Sequence, residues 1–292
     1  MRKVVDLLSE TRRDGYPAEY LLARLRARQT GFINRCPSGR AEEAWRELQK
    51  EYGWLFRQME MGLRIELAPI FFYFELRNLF TALRFRAGED RSGLITTLEA
   101  SMLNAPIKSI LNGEQTFPAM LKKLSAYLGR YDEGFEGLRE AWQSGGIRNL
   151  ETALLKGFTG LVSRERLTPA VRKFLNRLFE RRNLLLLAKE KRWQLADSLI
   201  KDRRSNDNRR RLLHRLNRLE HRKAGIVDNP VSLDNFLLQQ LAHESRKMAG
   251  SGRVAVTILS YLISCRQIVR DCGTKGFTDR INDSRTAMEA NL

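Results

Sequence analysis

From Ala44 to Leu67 the apolar residues fall at Ala44, Leu48, Tyr52, Leu55, Met59, Leu63 and Leu67. Steps of three and four keep one face of an α-helix apolar over many turns and do not fit the two-residue period of a strand. The same spacing recurs almost to the end of the chain. Only 7 prolines and 20 glycines punctuate 292 residues, too few for a barrel or sandwich with many tight turns, and β-branched runs are scarce. The expected fold class is all-α. With 42% hydrophobic and 29% charged residues, the chain has the composition of a globular protein with a real core.

Proline and glycine mark the breaks. Pro69 is expected to end or kink the first long helix, with a second from Ile70 to about Arg86 stopped at Gly88. Leu94 to Leu111 reads as helical with a break at Pro106, and Asn112-Gly113 as a turn. Two shorter helices fill Thr116 to Trp142, interrupted near Gly129 and Gly134; a loop at Ser144-Gly145-Gly146 and a helix from Leu150 to Leu161 follow. Thr168-Pro169 is a helix start. From there to about Lys223 the pattern is helical and basic, ending before Asp228-Asn229-Pro230. Ser232 to Met248 and Arg253 to Asp271 are the last strong helices, parted by Gly250-Ser251-Gly252, and the tail after Gly276 is polar.

Several chemistries lack their residues. The apolar stretches Leu67–Phe74 and Val254–Cys265 fall short of the roughly 18 residues that a membrane span needs. Asp6, Glu10 and Asp14 follow the initial Met1-Arg2-Lys3, so no secretory core is expected. Cys36, Cys265 and Cys272 are odd in number and suit a reducing compartment. His214, His221 and His243 lack metal-ligand spacing. No phosphate-cradling Gly-x-x-x-x-Gly-Lys loop and no Gly-x-Ser-x-Gly elbow occurs. The expectation is a binding or coupling protein with no catalytic residues, cofactor or metal.

The charge is lopsided. Of the net +18, +10 lies between Arg177 and Lys223, where 16 Lys and Arg face 6 Asp and Glu. Arg203, Arg204, Arg209, Arg210 and Arg211 are the candidate partner contacts, beside an apolar stripe at Leu212, Leu216 and Leu219. Such a field draws an acidic protein, an anionic lipid surface or nucleic acid. The run from Arg203 to Arg211 lacks the interleaved aromatics that single-strand binding uses.

Glu75-Leu76-Arg77-Asn78-Leu79 recurs 105 residues later as Glu180-Arg181-Arg182-Asn183-Leu184. At the same offset Phe74 meets Phe179, Phe80 meets Leu185 and Arg84 meets Lys189. Each copy is an apolar helix carrying an acid and an amide three residues apart, on one face, followed by a basic end. Such a polar pair, set among aromatics, most simply serves to hydrogen-bond a neighbouring helix.

The stretch Tyr73-Phe74-Glu75-Leu76-Arg77-Asn78-Leu79-Phe80-Thr81-Ala82-Leu83-Arg84 resembles the repeated helix of the V/A-type ATPase C-subunit family, whose eukaryotic member is the d subunit of the V-type ATPase. Tyr20 to Arg28, Leu150-Glu151-Thr152-Ala153-Leu154 with Phe158, and Val254 to Gly276 are similar to further segments of that family, in its order. The chain departs from the pattern at Leu155, where the family usually has Asp, and at Arg181-Arg182, which replaces an acid–hydrophobic pair. It departs again at Gln267 to Arg270, a degenerate third copy, and in the short loop Asp271 to Gly276.

The resemblance implies three pseudo-repeated helical lobes, approximately 1–113, 114–228 and 229–292, forming a funnel-like body. It makes Glu75, Asn78, Arg84, Glu180, Asn183 and Lys189 structural motif positions. It further implies a non-catalytic part of the central stalk, peripheral to the cytoplasmic face of the membrane. Its partners would be the proteolipid ring and the D and F subunits of the central shaft, and nucleic acid is not among them. The alternative from another class is a basic helical nucleic-acid-binding or RNA-processing protein, set apart by strongly salt-dependent binding to generic DNA or RNA.

Overall fold

Helices follow one another along the chain: α1 (Ala18–Arg35), α2 (Ala41–Gln58), α3 (Met61–Ala87), α4 (Arg91–Ala100), α5 (Ala105–Asn112), α6 (Phe117–Leu128), α7 (Leu138–Arg164), α8 (Pro169–Arg192), α9 (Asn206–Arg222), α10 (Pro230–Ala249) and α11 (Val254–Glu289). The structure, a computed structural model, describes residues 3–9, 15–35, 41–192, 206–249 and 254–289. Side chains are described within them except at 29–30, 33–35, 41, 191–192, 206–208, 248–249 and 272–289. Among the described residues there is no strand, only isolated bridges at Leu8–Leu103 and Tyr16–Met59. The all-α class holds. No described helix is long and apolar enough to cross a membrane.

The helix starts carry the caps that their sequences offer. Asp90 accepts from the Gly93 N–H at the start of α4, and Asn104 accepts from Ile107 at the start of α5, where Pro106 occupies the first turn. The Leu94–Leu111 stretch is thus two helices. Asn229 accepts from the Val231 and Ser232 N–H groups ahead of α10. Within α7, Gly145 and Gly146 leave helical geometry, and Gly146 takes a positive φ that only glycine adopts easily.

Pro69 does not end a helix. α3 runs through it from Met61 to Ala87. Proline forfeits one backbone bond, but Leu67, Ala68, Ile70, Phe71 and Phe72 around it are fully buried, and their packing holds the helix. The break comes earlier, between α2 and α3. There the Tyr16 N–H donates to the Gln58 carbonyl at 2.8 Å, and Gly15 lies so close to Met59 that a Cβ would sit 2.1 Å from its backbone. The polar tail also differs from expectation, because α11 continues to Glu289.

Two units emerge, each with its own core. The first comprises residues 1–24 and 45–168. Its hub is α3, which packs against α4, α5, α7 and the 3-10 turn Val4–Leu7. Tyr52 and Phe56 of α2 meet Phe71 of α3, Tyr52 stacks on Phe74 at 5.0 Å, and Phe72 reaches Phe158 of α7 at 5.5 Å. The N-terminal segment is strapped across the α4–α5 turn: Ser9 N–H donates to the Met102 carbonyl, and the Asn104 amide donates to the Asp6 carbonyl.

The second unit comprises residues 25–44 and 169–292. Here α8 packs against α9, α10 and α11. Leu184, Leu187 and Ala188 of α8, Leu212, Leu216 and Leu219 of α9, Ile226 and Val227, and Leu233 and Leu237 of α10 form one core cluster.

Glycine substitutions should separate packing from helix propensity in the first unit. A Cβ at Gly157 would lie 2.4 Å from the Phe135 ring, whereas one at Gly62 meets nothing within 4 Å. Gly157→Ala is expected to cost about 1–3 kcal/mol by overpacking. Gly62→Ala should gain up to about 1 kcal/mol. Thermal or denaturant melts of both variants check the opposite signs.

Candidate functional site

The repeated acid–amide pair lands on α3 of the first unit and α8 of the second, and the surroundings make the two copies chemically different. On α3, Glu75 and Asn78 are both buried, at 2% and 3% exposure. The Asn78 amide donates to both Glu75 carboxylate oxygens at 3.1 Å, and its carbonyl accepts from the Gln49 amide on α2. The Ser101 hydroxyl donates to Glu75 from the α4–α5 turn, and the Leu103 N–H donates to Ser101 in return. Lys108 of α5 donates to the Ser101 carbonyl at 2.6 Å. One acid and one amide thereby fasten α2 and the α4–α5 turn to α3, and Lys108 ties α5 to that same turn.

Burial pushes the Glu75 carboxyl above its ordinary range, against the pull of bonds from Ser101, Asn78 and the Met102 backbone and of the Lys108 charge. Burial likewise lowers the Lys108 ammonium, with the Glu75 charge opposing.

On α8, Glu180 is half-buried and faces guanidinium groups. Arg177 donates to it at 2.9 Å, and Arg215 of α9 pairs with its other oxygen. Burial raises a carboxyl, but here the bonds and charges of Arg215 and Arg177 prevail and hold Glu180 below its ordinary value. Arg177 reaches on to Glu244 of α10 at 3.1 Å. Asn183 is half-buried and Lys189 exposed. At the basic end of α3, Arg84 pairs with Glu151 of α7 at 2.6 Å. Two motif positions 67 residues apart therefore meet, in a pair exposed enough to add little stability.

Two arginines converge on one carboxylate. Arg181 of α8 and Arg270 of α11 both pair with Asp234 of α10. Side-chain exposure is 10% for Arg181 and 13% for Asp234. A buried arginine is thus balanced by an acid on a facing helix. Sequence reasoning did not single out Asp234, Gln49, Ser101 or Lys108. Asp234 sits one turn into α10, where an acid suits any helix start, so its position gave no sign of a distant partner.

The basic segment divides by helix face. Arg203 and Arg204 lie outside the described residues. Arg209 is half-buried and pairs with Glu190 of α8 at 2.9 Å, so it serves the unit's own packing. Arg210 and Arg211 are exposed. Among the described residues, no group of three His, Cys, Asp or Glu is placed to hold a metal ion.

Comparison with known protein families, with curated proteins and with solved structures returned no match.

Two substitutions probe this geometry. The stability that Glu75 contributes as a neutral acid is present below its ordinary value of 4.5 and is lost as pH rises through its raised native value. Glu75→Gln should therefore gain on the wild type as pH rises from about 4.5 to neutrality, read from melting temperatures across that range. Asp234→Asn removes the buried carboxylate that Arg181 and Arg270 share and should cost about 3–5 kcal/mol in denaturant melts. Arg181→Met in that background should recover part of the loss.

Proposed function

We propose that the protein is a non-catalytic central-stalk subunit of a V/A-type rotary ATPase, coupling the central shaft to the membrane proteolipid ring. The observation that carries this reading is the buried Glu75–Asn78 pair on α3 with its echo on α8. Three helix pairs in chain order support it. In each, a helix is followed after a short break by the start of another: Gln58 to Met61, Arg164 to Pro169 and Ala249 to Val254. The motif lies on the second helix of each pair, in its degenerate form at Gln267–Arg270 of α11.

In this reading the pairs belong to three lobes, approximately 1–113, 114–228 and 229–292, arranged as a funnel-like body. Its socket receives the D and F subunits of the shaft, and its base rests on the ring at the cytoplasmic face. Torque transfer demands stiffness, and long helices cross-braced by buried polar pairs supply it. The chain's part is mechanical: it holds no nucleotide site and no ion path.

Co-purification from membranes tests the proposal. Affinity-tagged protein should bring down the proteolipid ring and the shaft proteins in stoichiometric amounts. Recovery without them, together with a generic duplex gel shift that weakens steeply with salt, would replace it with the nucleic-acid-binding reading.

A further inference from the structure

The outward face of α9 carries more positive charge than its folding requires. At 100° per residue, Arg210, Arg211, His214, Arg218, His221 and Arg222 fall within an arc of roughly 120° along about 18 Å of helix. All six are exposed. The opposite arc holds Leu212, Leu216 and Leu219, which are buried in the core cluster of the second unit. Arg209 and Arg215 flank that apolar face and turn inward to Glu190 and Glu180. Glu220, the single acid between Arg210 and Arg222, accepts from the Gly225 and Val227 N–H groups and so belongs to the turn after the helix. Among the described side chains of α9, none in the outward arc neutralises the stripe.

Helix stability does not ask for this arrangement. His221 and Arg222 stand at the C-terminus, where a cation gains from the helix dipole. Arg210 and Arg211 stand in the N-terminal half, where it gains nothing.

We infer that this stripe is a docking surface for anionic lipid headgroups. Protein partners bind through a desolvated apolar or aromatic centre, and among the described side chains of α9 the outward arc contains only guanidinium, imidazole and, at its edge, Asn217. Single-stranded nucleic acid needs aromatic platforms, and no aromatic residue lies between Asn206 and Arg222. A charged bilayer surface requires neither. Arginine forks match phosphate oxygens, and with no exposed apolar residue in the arc the helix adsorbs on headgroups without entering the hydrocarbon. The inference takes from the coupling reading only the protein's place beside a membrane.

The test is co-sedimentation of the full chain with vesicles of phosphatidylcholine alone or mixed with phosphatidylserine, at low and at physiological salt. Wild-type protein should bind the mixed vesicles only, and less at the higher salt. Replacing Arg210, Arg211, Arg218 and Arg222 with Gln should lower the partition coefficient by several hundredfold, at about fivefold per arginine. A control removes the same charge from exposed positions elsewhere, with Gln at Lys122, Lys123, Arg172 and Lys173. It should retain most of the binding. Circular dichroism checks that both variants fold.

Equal loss in the two variants, or no binding to mixed vesicles, overturns the inference. Tighter salt-dependent binding to duplex DNA than to the vesicles also overturns it, in favour of a nucleic-acid surface. The vesicles contain no ring, so this result and the co-purification result stand or fall separately.

Discussion

A polar side chain placed in the middle of an apolar helix must find partners on the helices that cover it, and this requirement fixes how the elements of each unit pack. Leaving a buried donor or acceptor unmet costs about 1–3 kcal/mol, comparable to burying a whole leucine. α3 meets the requirement with amides and a hydroxyl: Asn78 and Ser101 donate to Glu75, and Gln49 donates to Asn78. α8 meets it with charge: Arg177 and Arg215 gather round Glu180, and Asp234 stands between Arg181 and Arg270. Apolar contacts tolerate sliding and rotation far better than hydrogen bonds do, so it is these groups that select one register from many of similar burial.

The two solutions have different electrical consequences. The α3 nest holds a carboxyl that resists ionisation, while the α8 cluster holds one that resists protonation. Unit 1 gains a brace of carboxyl, amide and hydroxyl groups. In unit 2, Glu180, Glu190, Asp234 and Glu244 answer Arg177, Arg181, Arg209, Arg215 and Arg270. Among the described side chains of α9, the arginines of the outer face have no carboxylate beside them in the same arc. Packing of the core and exposure of a charged stripe are two results of one allocation of charges.

Much of this was legible in the residues. Steps of three and four gave the helices, Thr168-Pro169 and the break at Asp228-Asn229-Pro230 gave the starts of α8 and α10, and the recurrence of Glu75–Asn78 at Glu180–Asn183 falls on α3 and α8. Pro69 misled because its local cost is fixed by chemistry, whereas the burial that outweighs it depends on what surrounds the helix. The basic run read as one block of five candidates, yet Arg209 is tied to Glu190 while Arg210 and Arg211, its neighbours, face solvent. A rotation of 100° per residue separates neighbours in this way, and which direction faces inward is set by the leucine face of α9 meeting α8.

By itself the sequence determined the helical class, the starts of α8 and α10, the acid–amide spacing on each helix and the excess of positive charge, because each depends on residues within a turn or two of one another or on composition alone. Tertiary structure decided which acid answers which arginine. Asp234 lies 53 residues from Arg181 and 36 from Arg270, and nothing in its own neighbourhood distinguishes it from other acids near helix starts. Pairing across such separations follows from where α8, α10 and α11 come to rest in packing their apolar faces. The same packing settled that burial raises the Glu75 carboxyl while Arg215 and Arg177 hold that of Glu180 down, since desolvation and the nearest charges, not the motif, set how a carboxyl titrates.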